Sequence, residues 1–587
     1  MKKNNNRRSE ENKNPFVDYA NLTGKYIKQK YPFLILFFVG FIALSLLNFL
    51  NVSTTNSVAN FALEEFEIGQ IADRTIIADR TLPADGIEPI RVEKGEKIIK
   101  KGFAITEDGY AKLKKMSISP VYIDYRAYAN SELYFFFICI LWYIVLAILN
   151  ARKNTLKLKE PLMEVLLLIL IYSATAFGSK IQVFSSSYSI CVLIPGALCA
   201  MLVTILFGFK SALSFSAMMS LIVLGASGWN VIPFIFTFAT GLSSSAIVRK
   251  IERRLDLVLA SIIISICEIV FMIVLFVAFN YNFSNRGLIF LGVITNGFLS
   301  GILTLGLLTP LEFILNTASV FRLMDLSDLN NSLMRKMCIT ASGTYHHSLM
   351  VAQLAEAGCR AVGANPLLAR VGAYYHDIGK MDQSEYFTEN QQGENKHDDI
   401  NPSLSASVIK SHVKKGVEKA HQLHLPQVVI DIIAEHHGNS VISYFYTKAK
   451  EKDDSVTPEE YSYPGNPPST KESAIVMLAD TVEAACKAMY RNVENPSASS
   501  IEKSINSLVD QKIQHNQLDN CDLTFRDVTS IKEAFLPILA GAYHSRVKYQ
   551  GQDEKSEEKE EVKKEDSVSV EKQDKKKKKA KKEENGK

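Results

Sequence analysis

"AYYHDIGKM", residues 373–381, places a histidine beside an aspartate at the end of an apolar, helix-like stretch. Such a pair binds a metal ion in some proteins and is an ordinary polar helix end in many others. The pair alone does not decide between these interpretations. If His376 and Asp377 are metal ligands, the chain must bring further ligands to the same place.

The histidines of this chain are confined to one region. All eleven lie between His346 and His544, and the first 345 residues contain none. Several amphipathic helical patterns in this region carry His or Asp within or at the end of their apolar faces, and a helical domain can direct such residues onto one centre. The candidates are five histidines and two aspartates: His347, His376, Asp377, His412, His436, His437 and Asp480.

Mixed imidazole and carboxylate ligands indicate the kind of metal. They suit Mn, Fe or Zn better than Mg, which prefers oxygen ligands and keeps its waters. Two divalent ions about 3.5–4 Å apart can clamp a phosphate for in-line attack. The set therefore favours phosphoester hydrolysis. His346 is expected on the surface of its helix, and His421, His424, His515 and His544 are interpreted as structural. His397-Asp398, in a polar loop, is expected to be a cap or to lie on the substrate side.

The first half of the chain contains eight apolar runs long enough to span a bilayer. They lie at 33–50, 132–150, 161–178, 188–208, 211–226, 230–248, 257–279 and 287–309. Basic residues precede the first run and follow the second and the sixth, which places these flanks and both termini in the cytoplasm. Glu164 is expected at the membrane interface. Glu268 lies nearer mid-span, where a carboxylate is either functional or hydrogen-bonded to a neighbouring helix.

The predicted fold class is a multi-pass α-helical membrane protein with a small extracytoplasmic α+β domain and a C-terminal all-α domain. Its parts are a basic cytoplasmic N-terminus 1–32, an anchor helix 33–50, the extracytoplasmic domain 51–131, seven transmembrane helices 132–309, a linker 310–340, the histidine-rich domain 341–550 and a charged, disordered tail 551–587. The tail is Lys/Glu-rich and cannot bury a core.

Composition excludes two other classes. The formal net charge of +4 is too small to indicate a nucleic-acid partner. The eight cysteines form no CxxC pair, so the sequence supports neither a zinc ribbon nor a disulfide framework.

The order H…HD…D, here His347, His376-Asp377 and Asp480, resembles the signature of the HD-domain metal-dependent phosphohydrolases. The segments "GTYHHSLMV", "YFTENQ", "AEHHGNSVISYFYTKA" and "YPGNPPSTKESAIVMLADTVEAA" are together similar to the seven-transmembrane HD family of cyclic di-AMP phosphodiesterases. The resemblance extends over residues 130 to 550, whereas the outer domain is shorter than is common in that family.

The resemblance implies a pair of divalent ions, Mn or Fe rather than Zn or Mg, in an enzyme of the bacterial cell membrane. One ion would take His347, His376, Asp377 and Asp480, and the other Asp377, His412, His436 and His437. Asp377 would bridge them, and a bridging hydroxide would open cyclic di-AMP to linear pApA. We also expect Lys380, from its charge and position, to reach a non-bridging phosphate oxygen.

Other functions remain as alternatives at this stage. HD enzymes for cyclic di-GMP carry an acidic residue and a Gly-Tyr-Pro run after their HH pair, and "HHGNSVISYFY" lacks both. HD enzymes for ppGpp generally lack the three additional histidines. A non-catalytic nucleotide receptor and a transporter are the alternatives that are not enzymes. The sequence alone does not decide whether the protein forms a homodimer or whether the outer domain binds a ligand.

Aromatic residues flank the predicted ligand helices. Adenine could stack on some of them, and packing of loop aromatics against the domain is the alternative. These residues are Tyr386, Phe387, Tyr444, Phe445 and Tyr446.

Overall fold

The computed structural model describes residues 15–54, 61–78, 81–84, 89–118, 125–150, 158–279, 286–391, 393, 395–492 and 496–542. The predicted charged tail 551–587 and the first 14 residues of the basic N-terminus lie outside the described residues. The chain divides into two compact units. Residues 1–328 and 424–428 form the first, and residues 329–423 and 429–587 form the second.

The first unit contains eleven α-helices among its described residues, most of them long and apolar. They are α1 (Pro15–Thr54), α2 (Glu107–Ser117), α3 (Tyr125–Asn150), α4 (Lys159–Gly178), α5 (Ile190–Leu193), α6 (Gly196–Phe207), α7 (Phe209–Ala226), α8 (Val231–Val248), α9 (Arg254–Ala278), α10 (Arg286–Leu315) and α11 (Val320–Leu326). Within the described residues, eight spans are long and apolar enough to cross a membrane. This confirms the predicted multi-pass helical class.

The predicted span 188–208 is not one continuous helix. Helix α5 ends at Leu193 and α6 begins at Gly196. Pro195 lacks a backbone N–H and disfavours a helical conformation in the residue before it, so the hydrogen-bond ladder is interrupted here. Hydropathy alone cannot show such a break, because the residues on both sides of it are apolar.

Glu164, expected at the membrane interface from its place near the end of a span, is buried against a neighbouring helix. Its side chain is buried in α4, and the indole N–H of Trp142 in α3 donates a hydrogen bond of 2.8 Å to its Oε2. Position along an apolar run does not show which way a side chain points, so the sequence did not predict this contact. A buried carboxylate needs such a partner.

The segment between α1 and α3 is a small α+β fold, as predicted. Strand β1 (Ile76–Ile77) pairs in antiparallel orientation with β2 (Lys97–Ile99), and α2 packs beside them. The Thr106 hydroxyl accepts the N–H of Gly109 and caps α2. The apolar core of this fold comprises Phe66, Ala72, Ala78, Leu82, Val92, Ile98, Ile99, Ile105, Leu113 and Met116.

The second unit is helical throughout its described core. Its helices are α12 (Ser332–Thr340), α13 (Ser342–Val362), α14 (Pro366–Tyr375), α15 (Pro402–Gln422), α16 (Gln427–Glu435), α17 (Ser443–Lys450), α18 (Lys471–Asn492), α19 (Ala498–Gln514) and α20 (Phe525–Ala542). Apolar faces of α13, α14, α18, α19 and α20 form one continuous core. Polar residues within α13 and α18 and at the end of α14 lie outside this core and face a common side.

An ion pair joins α13 to α14. Arg370 donates from Nε to Glu356 Oε2 at 2.5 Å and from a second nitrogen to Oε1, while Arg360 binds the same carboxylate from the exposed side. Partial burial raises the pKa of Glu356, but the hydrogen bonds from Arg370 and Arg360 outweigh it and hold the pKa below its ordinary value. The pair fixes the helix that carries His347 against the helix that leads to His376.

We predict that Glu356→Gln lowers the free energy of unfolding by about 1 kcal/mol at pH 7, because a bidentate, partly buried pair is lost. A carboxyl with a depressed folded pKa contributes stability above its unfolded pKa of about 4.3 and loses it as pH falls through the folded pKa. The difference between variant and parent should therefore shrink below pH 4. Thermal unfolding of the full chain in detergent measures it.

The control is Arg360→Ala, which removes only the exposed partner and should cost less than Arg370→Ala. A difference between Glu356→Gln and the parent that does not shrink as the pH is lowered below 4 would contradict the assignment.

Candidate metal centre

The seven predicted ligands come from five helices and meet at one place. His347 lies in α13, His412 in α15 and Asp480 in α18, whereas two pairs stand at helix ends. His376-Asp377 directly follows α14, and His436-His437 directly follows α16. Six of the seven side chains are buried, and His437 is partly exposed. The convergence that the sequence predicted is thus confirmed, and the role of these residues as metal ligands stays a prediction.

One half of the centre surrounds Asp377 Oδ2. The Nε2 atoms of His376 and His347 lie 3.1 and 3.9 Å from this oxygen. The same two nitrogens lie 3.8 and 2.9 Å from Asp480 Oδ1. His347, His376 and Asp480 therefore offer three ligand atoms within the reach of a single ion.

The other half surrounds Asp377 Oδ1. The Nε2 atoms of His412 and His436 lie 3.3 and 3.7 Å from this oxygen and 3.3 Å from each other. His437 completes a second group of three possible ligands with them. The two oxygens of Asp377 thus face two separate clusters of donors.

Backbone hydrogen bonds orient three of the imidazoles in the same way. The Nδ1 atoms of His376, His412 and His436 lie 2.7, 2.5 and 2.7 Å from the carbonyl oxygens three residues earlier in the chain. An Nδ1–H that donates to such a carbonyl leaves Nε2 as the atom with a free lone pair. A fixed tautomer of this kind is the usual support of a metal-binding histidine.

Glu483, which the sequence analysis missed, supports the remaining buried imidazole. His347 Nδ1 forms a hydrogen bond with Glu483 Oε2, while its Nε2 faces Asp480. Glu483 follows Asp480 by three residues on α18, so both carboxylates lie on one helical face. That spacing was the signal in the sequence, but many exposed helices share it.

Lys380 forms ion pairs with two carboxylates instead of pointing freely into solvent. Its Nζ lies 2.7 Å from Asp377 Oδ2 and 3.0 Å from Oε1 of Glu389, a second residue that the sequence analysis missed. Glu389 also accepts the Thr344 hydroxyl at 3.0 Å. Lys380 thus stands at the mouth of the first cluster, paired with carboxylates and lining the cleft.

The two halves differ in electrostatics. Burial lowers the pKa of His412 to about 4 and that of His436 to about 3, so both imidazoles are neutral at physiological pH. Burial also raises the pKa of Asp377, but His376 and Lys380 outweigh it and keep the carboxyl ionised. In the first half, burial lowers the pKa values of His376 and His347, but the neighbouring carboxylates outweigh it and raise them to about 10 and about 9. Metal binding requires neutral imidazole and ionised carboxylate, so these two imidazoles would release a proton when an ion binds.

Buried atoms without partners show that the site fits metal ions. Neither His376 Nε2 nor Asp377 Oδ1 has a hydrogen-bond partner among the residues that the structure describes. Leaving such atoms unpaired costs about 1–3 kcal/mol each. Converging nitrogen and oxygen atoms, some of them left without a partner, are the arrangement that a transition-metal ion satisfies.

A cleft of about 1150 Å³ opens from the centre to solvent. Tyr463 lines it and stacks on His437, with ring centroids 4.3 Å apart and planes inclined by 29°. Lys487 and Arg491 line the wall formed by α18, farther from the ligands. Tyr463 was also missed, because it lies in a loop far in sequence from the histidine that it covers.

The other predicted positions divide between surface and core. His346 is exposed, as expected. His397 is instead buried, with Nε2 2.7 Å from the Tyr386 carbonyl oxygen and its ring 5.0 Å from Phe445, so its position is structural. Among the aromatic candidates, Phe387 lines the cleft. Tyr444 is exposed and Phe445 is buried in a local core.

We predict that Gly379→Ala weakens metal binding. A Cβ at Gly379 would lie 1.9 Å from the His412 carbonyl oxygen and 2.6 Å from Gly416 N, so α15 must shift and carry His412 away from Asp377. Misplacing one ligand should reduce affinity by about tenfold or more. Titration of the metal-free full chain with Mn²⁺ measures it.

Gly541→Ala is the matched control, because an added Cβ there meets open space among the described residues. Unchanged Mn²⁺ affinity in Gly379→Ala would contradict the close packing of the "HDIG" turn on α15.

Sequence profiles match two parts of the chain. The HD domain profile matches residues 344–485, and the profile described as 7TM receptor with intracellular HD hydrolase matches residues 131–319. An HD domain implies a site for divalent metal, in agreement with the ligand cluster.

Named relatives match most of the chain. The cyclic-di-AMP phosphodiesterase PgpH of Bacillus subtilis (strain 168) is 32% identical over 496 residues, 80% of this chain and 67% of that protein. The protein of the same name from Listeria monocytogenes serotype 1/2a is 32% identical over 485 residues, 80% of this chain and 66% of that protein. This chain thus spans about two thirds of the length of these relatives.

A solved structure matches the C-terminal part. The L. monocytogenes PgpH HD domain in complex with cyclic-di-AMP is 42% identical, covering 37% of this chain and 100% of that chain, with a TM-score of 0.35. The 32% identity to PgpH over 80% of this chain and the matches to both profiles agree. This chain is therefore a multi-pass membrane protein and belongs to the seven-transmembrane HD hydrolase family that includes PgpH.

Proposed function

We propose that this protein is a membrane-bound, metal-dependent phosphodiesterase that hydrolyses cyclic di-AMP to linear pApA. The observation that carries the proposal is the position of Asp377, whose two carboxylate oxygens face two separate groups of ligand atoms. A carboxylate placed between two groups of ligands can hold two ions at the separation of about 3.5–4 Å that is typical of two-metal phosphodiesterases. The substrate is taken from the names of the relatives.

The proposed ligands divide as the distances suggest. His347, His376 and Asp480 would hold one ion and His412, His436 and His437 the other, with Asp377 shared. Mixed imidazole and carboxylate ligands suit Mn, Fe or Zn better than Mg, and we propose Mn or Fe from the resemblance to the HD family. When bound, two such ions supply Lewis acidity that activates water and neutralises charge on the phosphate.

The side chains around the metal ligands have separate tasks. We propose that Lys380 is a catalytic residue that turns from Asp377 to a non-bridging phosphate oxygen when substrate and metal are present, as its place in the cleft permits. Glu389 would hold the ammonium group in position, and Glu483 would keep His347 oriented. Water adds across one P–O3′ bond, and the released 3′-oxygen takes a proton.

The shape and charge of the cleft fit a ligand with two phosphates. Lys487 and Arg491 lie on the same wall as Asp480, seven and eleven residues farther along α18, which is about 10 and 16 Å along the helix. The exposed faces of Ala484 and Ala488 leave space beside them. A phosphate bound at the metals would leave the second phosphate of a cyclic dinucleotide facing Lys487.

We propose the orientation that the basic flanks indicate, with both termini and the HD domain in the cytoplasm of a bacterial cell and the α+β fold outside. The substrate is a cytoplasmic nucleotide in this scheme. The outer fold and the transmembrane helices would then regulate hydrolysis from outside or within the bilayer.

The test uses the full chain purified in detergent and loaded with Mn²⁺. It is incubated separately with cyclic di-AMP, cyclic di-GMP and ppGpp, and products are resolved by chromatography. We expect pApA from cyclic di-AMP, and a loss of at least about 10³-fold in Asp377→Ala, because both ions lose a ligand.

Asp398→Ala is the control, since this aspartate belongs to the second His-Asp pair, outside the centre. Faster hydrolysis of cyclic di-GMP or ppGpp would keep the metal centre and overturn the substrate. No turnover with two bound ions per chain would favour a nucleotide receptor.

We predict that Lys487→Ala raises KM for cyclic di-AMP about tenfold and changes kcat less, because the lysine contacts the phosphate that does not react. Bis(p-nitrophenyl) phosphate has a single phosphate and should be hydrolysed equally by variant and parent. Lys503→Ala, on the surface of α19, is the control. An equal loss on both substrates would show a structural effect instead.

A further inference from the structure

The break between α5 and α6 is held by a side chain from another helix. Asn296 in α10 donates from Nδ2 to the carbonyl oxygens of Val192 and Ile194, at 2.7 and 3.0 Å. Thr237 of α8 packs beside Gly196 on the other side of the break. Non-helical backbone at membrane depth is tolerated where protein buries it or where it lines a polar site.

An apolar cluster lies to one side of this break. It consists of Tyr188, Cys191, Phe236, Met272, Leu275, Ile289 and Val293. Three members of this cluster have a residue that is polar or lacks a side chain one helical turn away, four residues along the chain. Thr240 follows Phe236, Gly297 follows Val293, and Glu268 precedes Met272. Short connections make α8 and α10 antiparallel to α9, so all three steps lead in one direction.

Thr240, Glu268 and Gly297 therefore form a layer directly beneath the apolar cluster, level with the α5–α6 break. Gly297 makes room for the carboxylate, because a Cβ there would lie 2.9 Å from Glu268 Oε2. The apolar cluster above separates this layer from one membrane surface.

One carboxylate oxygen of Glu268 and the hydroxyl of Thr240 are buried and unpaired among the described residues. Glu268 is 1% exposed and Thr240 2% exposed. Among the described residues, neither Glu268 Oε2 nor Thr240 Oγ1 has a hydrogen-bond partner, and the same holds for the hydroxyls of Thr237, Ser244 and Ser245 on α8. Serine and threonine in a membrane helix usually bond the carbonyl four residues earlier, as Thr304 does in α10. These hydroxyls do not.

The helices around Glu268 contain no basic residue that could neutralise its carboxylate. No lysine or arginine occurs in 190–207, 231–248, 255–278 or 287–315. Every unpaired atom of the layer is an oxygen, which is the donor that hard cations prefer. Discontinuous helices near the bilayer midplane are also where membrane transporters bind sodium.

We propose that the transmembrane helices contain a binding site for a monovalent metal cation, with Glu268 and Thr240 as ligands, between α8, α9, α10 and the α5–α6 break. The site is independent of the phosphodiesterase centre in the second unit. It would give the transmembrane region a ligand of its own, recognised by charge and oxygen coordination.

The probe is ²²Na⁺. Equilibrium binding is measured on the full chain in lipid nanodiscs, at constant ionic strength maintained with N-methyl-D-glucamine. We expect saturable binding of one ion per chain, its loss in Glu268→Gln and about tenfold weaker binding in Thr240→Val, which keeps the shape but removes one ligand.

Glu164→Gln is the matched control, because Glu164 is also a buried intramembrane carboxylate but is bonded to Trp142. It should bind sodium like the parent. Absence of saturable binding in the parent, or equal binding by the parent, Glu268→Gln and Thr240→Val, would overturn the proposal. Thr240→Val decides the matter if Glu268→Gln does not fold.

Discussion

The shared carboxylate of Asp377 is the constraint on which the helical unit depends. One oxygen faces His347 and His376, and the other faces His412 and His436. A single side chain can serve both sides only if α13, α15, α16 and α18 end or pass within a few ångströms of the turn after α14. The apolar core behind these helices holds them in that position.

Local backbone features then set the detail. Hydrogen bonds from Nδ1 to the carbonyl three residues earlier fix three imidazoles, so each presents Nε2 inward. Gly379 permits the turn to contact the backbone of α15 directly. The spacing of the histidines alone would not produce a site. Because Gly379 has no side chain, α15 can pack close enough to place His412 beside Asp377.

The convergence of the candidate ligands could be predicted because their chemistry is rare and confined: eleven histidines in one region, four of them in two adjacent pairs. Glu483, Glu389 and Tyr463 could not, because acidic and aromatic residues are common and their roles arise only from contacts between distant segments. Within the membrane the limits were similar. Hydropathy located the spans but not the break at Pro195, the burial of Glu164 or the direction in which Glu268 points.

The most direct test of the central claim is electron paramagnetic resonance of the full chain loaded with Mn²⁺. A carboxylate shared by two ions couples their spins, so we expect the spectrum of an exchange-coupled pair at two ions per chain. Asp377→Ala should remove the coupling. A spectrum of isolated, uncoupled Mn²⁺ in the parent protein at full occupancy would contradict the account.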